Sequence, residues 1–397
     1  MTLAEQQPAR SVSLADNTIG AEEIAAVTDV LTSRWLTAGP VSRAFEAEFA
    51  AALGVSDAVA VSSGTAALHL AVLALALRPG DEVIMPSLTF VASAAVVALQ
   101  RGVPVFADIV SATEPTVSPE EVRALITPRT RAVVAMHYGG YPARTEELRT
   151  IAAANGLALI EDAAHSPVVR GAGPALGTVG DIGCFSFHAT KNMTTGEGGM
   201  VVARDQTVLD RIRSMRSLGI TRTSWDRTVS GGSDYDIVDL GLNYRPTEVG
   251  SAIGRVQLGR LAADREQRRE LTRVYHELLA REVPDVLVPW AGRTEDSAYH
   301  LMATVLPERA SRAGVRAALR ADGVQTSVHY RPVHSFTRFR DAGRHGDGPR
   351  RPLPVTEQVA DRLLTLPLHS RMTTNDVAFV VDRLSAALGG PDDGVRP

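Results

Sequence analysis

Lys191 is the single lysine among the 41 Lys and Arg residues of this 397-residue chain. Arginine substitutes for lysine at most surface positions, but its guanidinium stays protonated and is no amine nucleophile. A chain so biased toward arginine marks Lys191 as a position that needs a primary amine. Its surroundings say what for. In Ser186-Phe187-His188-Ala189-Thr190-Lys191-Asn192 a hydroxyl precedes the amine by five residues, just beyond a strand. Ser62-Ser63-Gly64-Thr65-Ala66 lies between a strand and a helix, where free N–H groups and the positive helix end favour an anion, and Gly64 permits close backbone approach. Glu161-Asp162 closes an apolar strand. An aspartate there is a helix N-cap, a surface charge, or a fixed anion that keeps a heterocyclic nitrogen protonated. His165, three residues on, stacks on or hydrogen-bonds a ring, or is a satisfied structural histidine. Amine, anion-binding turn and strand-end aspartate are together what pyridoxal phosphate requires: a Schiff-base partner, a phosphate anchor and a counter-charge for the ring nitrogen. A doubly wound nucleotide-binding enzyme without that cofactor also explains the Gly64 turn, but leaves the lone lysine without a reason.

These residues need a scaffold that brings several strand ends to one edge. Strand patterns fall at 57–61, 82–85, 103–108, 131–137 and 157–161, separated by helical patterns at 65–77, 89–100, 119–126 and 144–154. Repeated strand–helix–strand units predict a mostly parallel sheet covered on both faces, with ligands beyond the carboxyl ends of its strands. Two further strands, 181–187 and 199–203, have no helix between them, and two helical patterns, 21–33 and 41–53, precede the first strand. A long helical pattern at 246–282 leads into mixed elements. The expected organisation is a large α/β domain over 11–255, a smaller C-terminal α+β domain over 256–390, and a tail at 391–397. Thr221 to Tyr235 and Asp341 to Pro354 read as loops from their Gly, Ser, Asp, Pro and Arg content. No internal repeat is present.

Composition sets the limits. A formal net charge of −4 with no block of like charge argues against a nucleic-acid partner. A single cysteine, Cys184, has no partner for an internal disulfide, and nothing clusters with it as a zinc site would require, so no metal is expected. Met1 to Arg10 lacks a signal pattern, and the apolar run from Ala66 to Leu77 is too short to span a bilayer, which makes a cytoplasmic protein without membrane contact the expectation.

From Ile19 to about Leu388 the chain resembles the DegT/DnrJ family of sugar aminotransferases, fold-type-I enzymes of the aspartate-aminotransferase kind. The resemblance rests on Trp35-Leu36-Thr37-Ala38-Gly39-Pro40, the Ser62 to Leu68 turn, Gly80-Asp81-Glu82-Val83-Ile84, Pro86-Ser87-Leu88-Thr89-Phe90, Glu161-Asp162-Ala163-Ala164-His165, Phe185 through Gly199, Leu242-Asn243-Tyr244-Arg245-Pro246-Thr247, Tyr299-His300-Leu301 and Val328-His329-Tyr330-Arg331-Pro332. It implies that Lys191 binds pyridoxal 5'-phosphate and moves the proton, Asp162 pairs with the ring nitrogen, Phe90 stacks on the ring, and Thr65, Ala66 and Ser186, beside Gly64, hold the phosphate. Phe90 also reads as ordinary core packing. Asn243 matches a residue that reaches the phosphate from the neighbouring subunit, implying a homodimer with shared active sites; by itself it reads as a turn asparagine. His165 stands where the family has Gln or His. Thr37, His329, Tyr330 and Arg331 are substrate-pocket positions, and Arg245 and Arg331 are candidates to grip the donor carboxylate. Relatives that dehydrate sugars carry His at the lysine position, so Lys191 favours transamination from L-glutamate to a keto nucleotide sugar. The Ser186 to Asn192 run resembles the branch acting on NDP-4-keto-6-deoxyhexoses; a 3-keto sugar, a keto-cyclitol, or a catalytically silent regulatory protein of the same fold are the alternatives.

Overall fold

The computed structural model of the protein describes residues 10–389, apart from 171–172, 232, 294–296 and 341–350. Among these residues, β1 (Val59–Val61), β2 (Glu82–Pro86), β3 (Val103–Ala107), β4 (Thr130–Met136), β5 (Ala158–Asp162), β6 (Ile182–Ser186) and β7 (Gly199–Ala203) form one sheet. Its order is β1-β7-β6-β5-β4-β2-β3. Only β7 runs against its neighbours β6 and β1. The mostly parallel α/β sheet expected from the sequence is present. Antiparallel β6 and β7 need no crossover, which is why no helix separates them.

The helices are α1 (Ala21–Ser33), α2 (Pro40–Leu53), α3 (Gly64–Ala74), α4 (Ala92–Leu99), α5 (Pro119–Leu125), α6 (Thr145–Ala154), α7 (Gln206–Met215), α8 (Ser224–Ser230), α9 (Glu248–Glu282), α10 (Arg312–Ala321), α11 (Pro354–Arg362) and α12 (Thr374–Leu388). Because strand side chains alternate between faces, Val83, Met85, Val134 and Ile160 enter one core with α3, α4 and α7, while Ile84, Val133 and Leu159 enter another with α5 and α6. A third cluster holds α2 against β6. Its rings, Phe45, Phe49, Phe185 and Phe187, meet at centroid distances of 5.2–6.1 Å. That packing fixes the strand that leads to Lys191.

A second sheet pairs β8 (Met302–Val305) with β9 (Leu363–Leu366), antiparallel. It shares a core with α10, α12 and the second half of α9 through Leu271, Tyr275, Leu319, Leu364, Val377 and Leu384. The boundary expected at 255/256 falls inside the continuous helix α9. Val12 also packs in this second core, its N–H and C=O bonded to Gly323 and Gln325. The tail at 391–397 and residues 341–350 of the second expected loop lie outside the described residues. The first expected loop needs correcting, since 224–230 is helical. Thr223 Oγ1 accepts from Asp226 N and the Asp226 carboxylate accepts from Thr223 N, a capping box that satisfies two otherwise orphaned donors.

Directly behind the site-bearing end of β5 lies a buried pair. His137 Nε2 is 2.8 Å from Glu161 Oε2, and the same carboxylate accepts from Gly177 N (3.0 Å) and Gly180 N (2.5 Å). Burial opposes ionisation of Glu161. The His137 hydrogen bond and charge, followed by the Gly180 and Gly177 N–H groups, outweigh it and hold the carboxyl below its ordinary range. Glu161→Gln replaces one acceptor oxygen with a donor facing groups that already donate. It is expected to destabilise the fold by about 3–5 kcal/mol, read by urea denaturation; a loss under about 1 kcal/mol would show that the pair is not holding the 177–180 turn.

Candidate active site

β5 and β6 are parallel neighbours, with Asp162 level with Cys184. Their ends therefore deliver Asp162 and the Ser186 to Lys191 segment to one edge of the sheet. α3 rises from the end of β1 at the same edge. A Cβ on Gly64 would lie 2.7 Å from Ser186 Cβ, so the turn and the strand end touch only because residue 64 is glycine. Ser63 caps α3 by accepting from Ala66 N at 3.0 Å. Ala66 N–H is thus committed within the turn, and the N–H groups of Gly64 and Thr65 are those left without intrahelical partners. Ser186 is buried and its hydroxyl accepts from His188 N at 3.4 Å.

The Lys191 backbone is held by its N–H to His188 O (2.9 Å), and the next residue is clamped harder. Asn192 Nδ2 donates to Ala298 O at 2.5 Å, and its Oδ1 lies 2.8 Å from His300 Nδ1. The Lys191 amine itself has no hydrogen bond among the described residues. Burial lowers its pKa from 10.5 to about 8, with the charge of Asp162 acting in the opposite direction. At pH 7 about a tenth of the amine is then neutral, against well under about a thousandth at the ordinary lysine value. The rate at which cofactor-free protein captures a reactive aldehyde is therefore expected to rise tenfold per pH unit up to about 8 and level off above it. Stopped-flow absorbance checks this, and a rise continuing to pH 10 would mean an amine of ordinary basicity.

Asp162 is buried and, among the described residues, its carboxylate receives only Ala164 N (3.1 Å) and, weakly, Ser93 Oγ (3.4 Å). Burial pushes its carboxyl up, opposed by Ala164 N–H and by the charges of Lys191 and His137. His165 Nδ1 accepts from Gly139 N (3.2 Å) and its Nε2 lies 2.9 Å from Tyr330 Oη. The His165 and His300 rings are 4.2 Å apart. Burial, with the Lys191 charge second, keeps both imidazoles neutral and lowers His329 to about 4. Phe90 is an exposed aromatic at 51% of its surface, its ring 5.9 Å from Tyr330. Cys184, under the site, is buried, and burial raises its thiol well above the usual range, so it is inert.

These residues fit pyridoxal phosphate on three grounds. Asp162 is a buried carboxylate that lacks a full counter-charge. The Gly64 and Thr65 N–H groups form an anion cradle that a Cβ at residue 64 would close. Phe90 offers a bare aromatic face, costly to expose without a partner.

The structure gathers Lys191, Asp162, His165, Phe90, His329, Tyr330, Ser186 and the Gly64 to Ala66 turn. It sets the other expected residues apart. Thr37 and Arg245 line a small cleft with Ser217, Arg222 and Trp225, and Arg245 Nη1 donates to Ser217 Oγ at 3.0 Å. Exposed Asn243 bridges Ser217, and its neighbour Tyr244 ties back to the phosphate turn through Ser62 N (2.9 Å). Arg331 is exposed and turned aside: Nε and Nη2 donate to Ser335 at 2.9 Å, and its guanidinium lies 4.8 Å over Phe336. Sequence reasoning gave no role to Ser93, Gly139, Asn192 and His300. Asn192, beside the only lysine, was the one with a local signal.

Residues 17–385 match the sequence profile of the DegT/DnrJ/EryC1/StrS aminotransferase family. The aminotransferase TlmJ from Streptoalloteichus hindustanus superposes with a TM-score of 0.87 at 33% identity, covering 96% of this chain and 99% of TlmJ. DesI, solved in the presence of its TDP-sugar product, is 34% identical over 97% of this chain and 95% of its own, with a TM-score of 0.83. Spr1654 from Streptococcus pneumoniae, solved in a PLP-form and a PMP-form, is 25% identical to this chain; the PLP-form has a TM-score of 0.86 over 95% of this chain and 98% of its own.

Proposed function

Because the chain belongs to the DegT/DnrJ/EryC1/StrS aminotransferase family and is a pyridoxal-phosphate-dependent sugar aminotransferase, we propose that it moves an amino group from L-glutamate to a keto nucleotide sugar of the NDP-4-keto-6-deoxyhexose class. The observation that carries this is the lone, half-buried Lys191 amine with a pKa near 8, opposite the buried carboxylate of Asp162. DesI, with its TDP-sugar product, supports a nucleotide-linked substrate.

The bound cofactor supplies an aldehyde that carries nitrogen between donor and acceptor, and a ring that takes up the electron pair of a broken C–H bond. Lys191 Nζ would hold the aldehyde carbon, and as a free amine it would take the proton from the donor's α-carbon and return one to the sugar carbon. Its depressed pKa is what allows it to act as a base near neutral pH. Asp162 holds a proton on the ring nitrogen. Gly64 and Thr65 N–H, with Ser186 Oγ, bind the phosphate, and Phe90 covers one ring face and excludes water from it. His329 and Tyr330 border the sugar, whereas Thr37 lines the separate cleft with Arg245. Of the two carboxylate candidates, Arg331 spends two donors on Ser335, and Arg245 lies in the separate cleft with one donor given to Ser217.

The functional unit of this proposal is a homodimer. Tyr235, Ile237, Val238 and Leu240 are all exposed, Leu240 at 85%, in the segment leading to Asn243. An apolar run of this kind calls for a partner surface. A second copy covering it would bring Asn243 toward the neighbouring phosphate turn. A panel of keto-sugar nucleotides incubated with holoenzyme and L-glutamate, read by mass spectrometry, tests the substrate class. Amine product from NDP-4-keto-6-deoxyhexoses is expected. Amination confined to 3-keto sugars or keto-cyclitols would move the assignment to those substrates.

A further inference from the structure

The loop that carries Lys191 is bonded to distant parts of the chain through one side chain. Among the described residues, the hydrogen bonds of 188–193 run to Ser186, His188 and Thr190, with a single exception. That exception is Asn192, and its amide can stand only one way. Ala298 O is a pure acceptor, so the Asn192 atom 2.5 Å from it is the NH2 nitrogen; Oδ1 then faces His300 Nδ1 at 2.8 Å and requires the imidazole proton there. Both residues are buried. Segment 297–300, which receives the amide, is itself held on two sides. Ala298 N and His300 N donate to Gly140 O and Gly139 O, each at 2.9 Å, just beyond β4. From α9, Arg265 Nε donates to Ser297 O (2.9 Å) and Arg268 Nη1 to Tyr299 O (3.3 Å). Gly140, at φ +95°, permits this approach, since a Cβ there would lie 2.9 Å from Ala298 Cβ. The next residue of the loop, Met193, is buried in the cluster of Phe45, Phe49 and Phe187.

We propose that Asn192 is the positioning residue for Lys191: by bonding the loop to Ala298 and His300 it keeps the amine beside Asp162 and away from bulk water. The proposal rests on the reading of Lys191 as the amine that takes up the cofactor's aldehyde, and Asn192 acts on it through the shared backbone. An amine kept from water sheds its proton more readily, and on Lys191 burial is the larger influence, ahead of the opposing charge of Asp162. Loosening the clamp admits water and so raises the pKa from about 8 toward the ordinary 10.5. The ionisable groups that act on the amine are Asp162 at the end of β5, His165 just after it, His300 ahead of β8, and His329. The three imidazoles stay neutral at and above neutral pH, so the charge among these four is that of Asp162.

The test follows the capture of para-nitrobenzaldehyde by cofactor-free protein as a function of pH. The adduct is trapped with borohydride and read at Lys191 by peptide mapping, so that the N-terminal amine is counted apart, and melting temperatures are taken alongside. Three variants are compared with the wild type. Asn192→Leu keeps the volume and removes both bonds, His300→Leu removes one partner from the other side, and His300→Asn puts an amide N–H where the imidazole Nδ1–H stood. The midpoint is expected to rise by about one to two pH units in N192L, to rise by less in H300L, and to stay at the wild-type value in H300N. Capture by N192L at pH 7 then falls by about tenfold. A wild-type midpoint in both N192L and H300L, whatever their melting temperatures, would overturn the proposal and leave Asn192 a role in the fold alone. A rise in H300N equal to that in H300L would also overturn it, because the ring and not the bond would then keep the amine dry. Should N192L not fold, the contrast between H300L and H300N decides. A wild-type protein in which no label reaches Lys191 would instead defeat the reading of that lysine, and this proposal with it.

Discussion

Lys191→Arg is expected to lower turnover by at least about 10³–10⁴-fold while leaving the fold in place. Arginine keeps the positive charge and much of the length, but it has no proton to release and no free amine. The fold loses nothing measurable, because the Lys191 amine makes no hydrogen bond among the described residues, and the clamp on this segment belongs to Asn192. Circular dichroism and melting temperature should therefore match the wild type while steady-state amination of a keto-sugar nucleotide disappears. Turnover within tenfold of wild type would remove the lysine from the chemistry.

Asp162→Asn is nearly isosteric, and its effect separates charge from shape. The amide oxygen still accepts from Ala164 N, so the 162–164 turn survives. What is lost is the anion that keeps the ring nitrogen protonated, and kcat is expected to fall by about 10²–10³, the cost of removing one preorganised charge partner. Stability should move the other way. Burial raises the Asp162 pKa in the folded state, so its ionised form works against folding above that pKa. Cofactor-free D162N is therefore expected to melt at or above the wild-type temperature at pH 7, and below wild type only at acid pH. A variant both inactive and much less stable would mean that Asp162 serves the fold.

Most of the scaffold is legible because it depends on short-range pattern. The continuous apolar strands that stop at Asp162 and Ser186, and the small-residue turn at Gly64, place three chemical groups on one sheet edge once parallel order is granted. The relay from Gly139 through His165 to Tyr330 is not legible, since it joins three segments far apart in the chain, and nothing in Tyr-Gly-Gly or Val-His-Tyr-Arg-Pro announces the contact. Asn192 and His300 are hidden for the same reason. The opposite failure occurs at 221–235, where Gly, Ser and Asp suggest a loop although Thr223 and Asp226 spell a capping box. Arg331 follows the family position, but Ser335 and Phe336 turn its guanidinium aside, an effect of the local 331–336 turn that residue type alone does not disclose.

Sodium borohydride fixes a lysine-bound aldehyde as a stable secondary amine, and peptide mapping of the reduced holoenzyme then locates it. A single cofactor-bearing peptide with the mass on Lys191, and its absence after exposure to excess L-glutamate before reduction, is the expected result. A label on the N-terminal amine, or no label in protein that has retained its bound cofactor, would contradict the assignment of Lys191 as the residue around which this site is built.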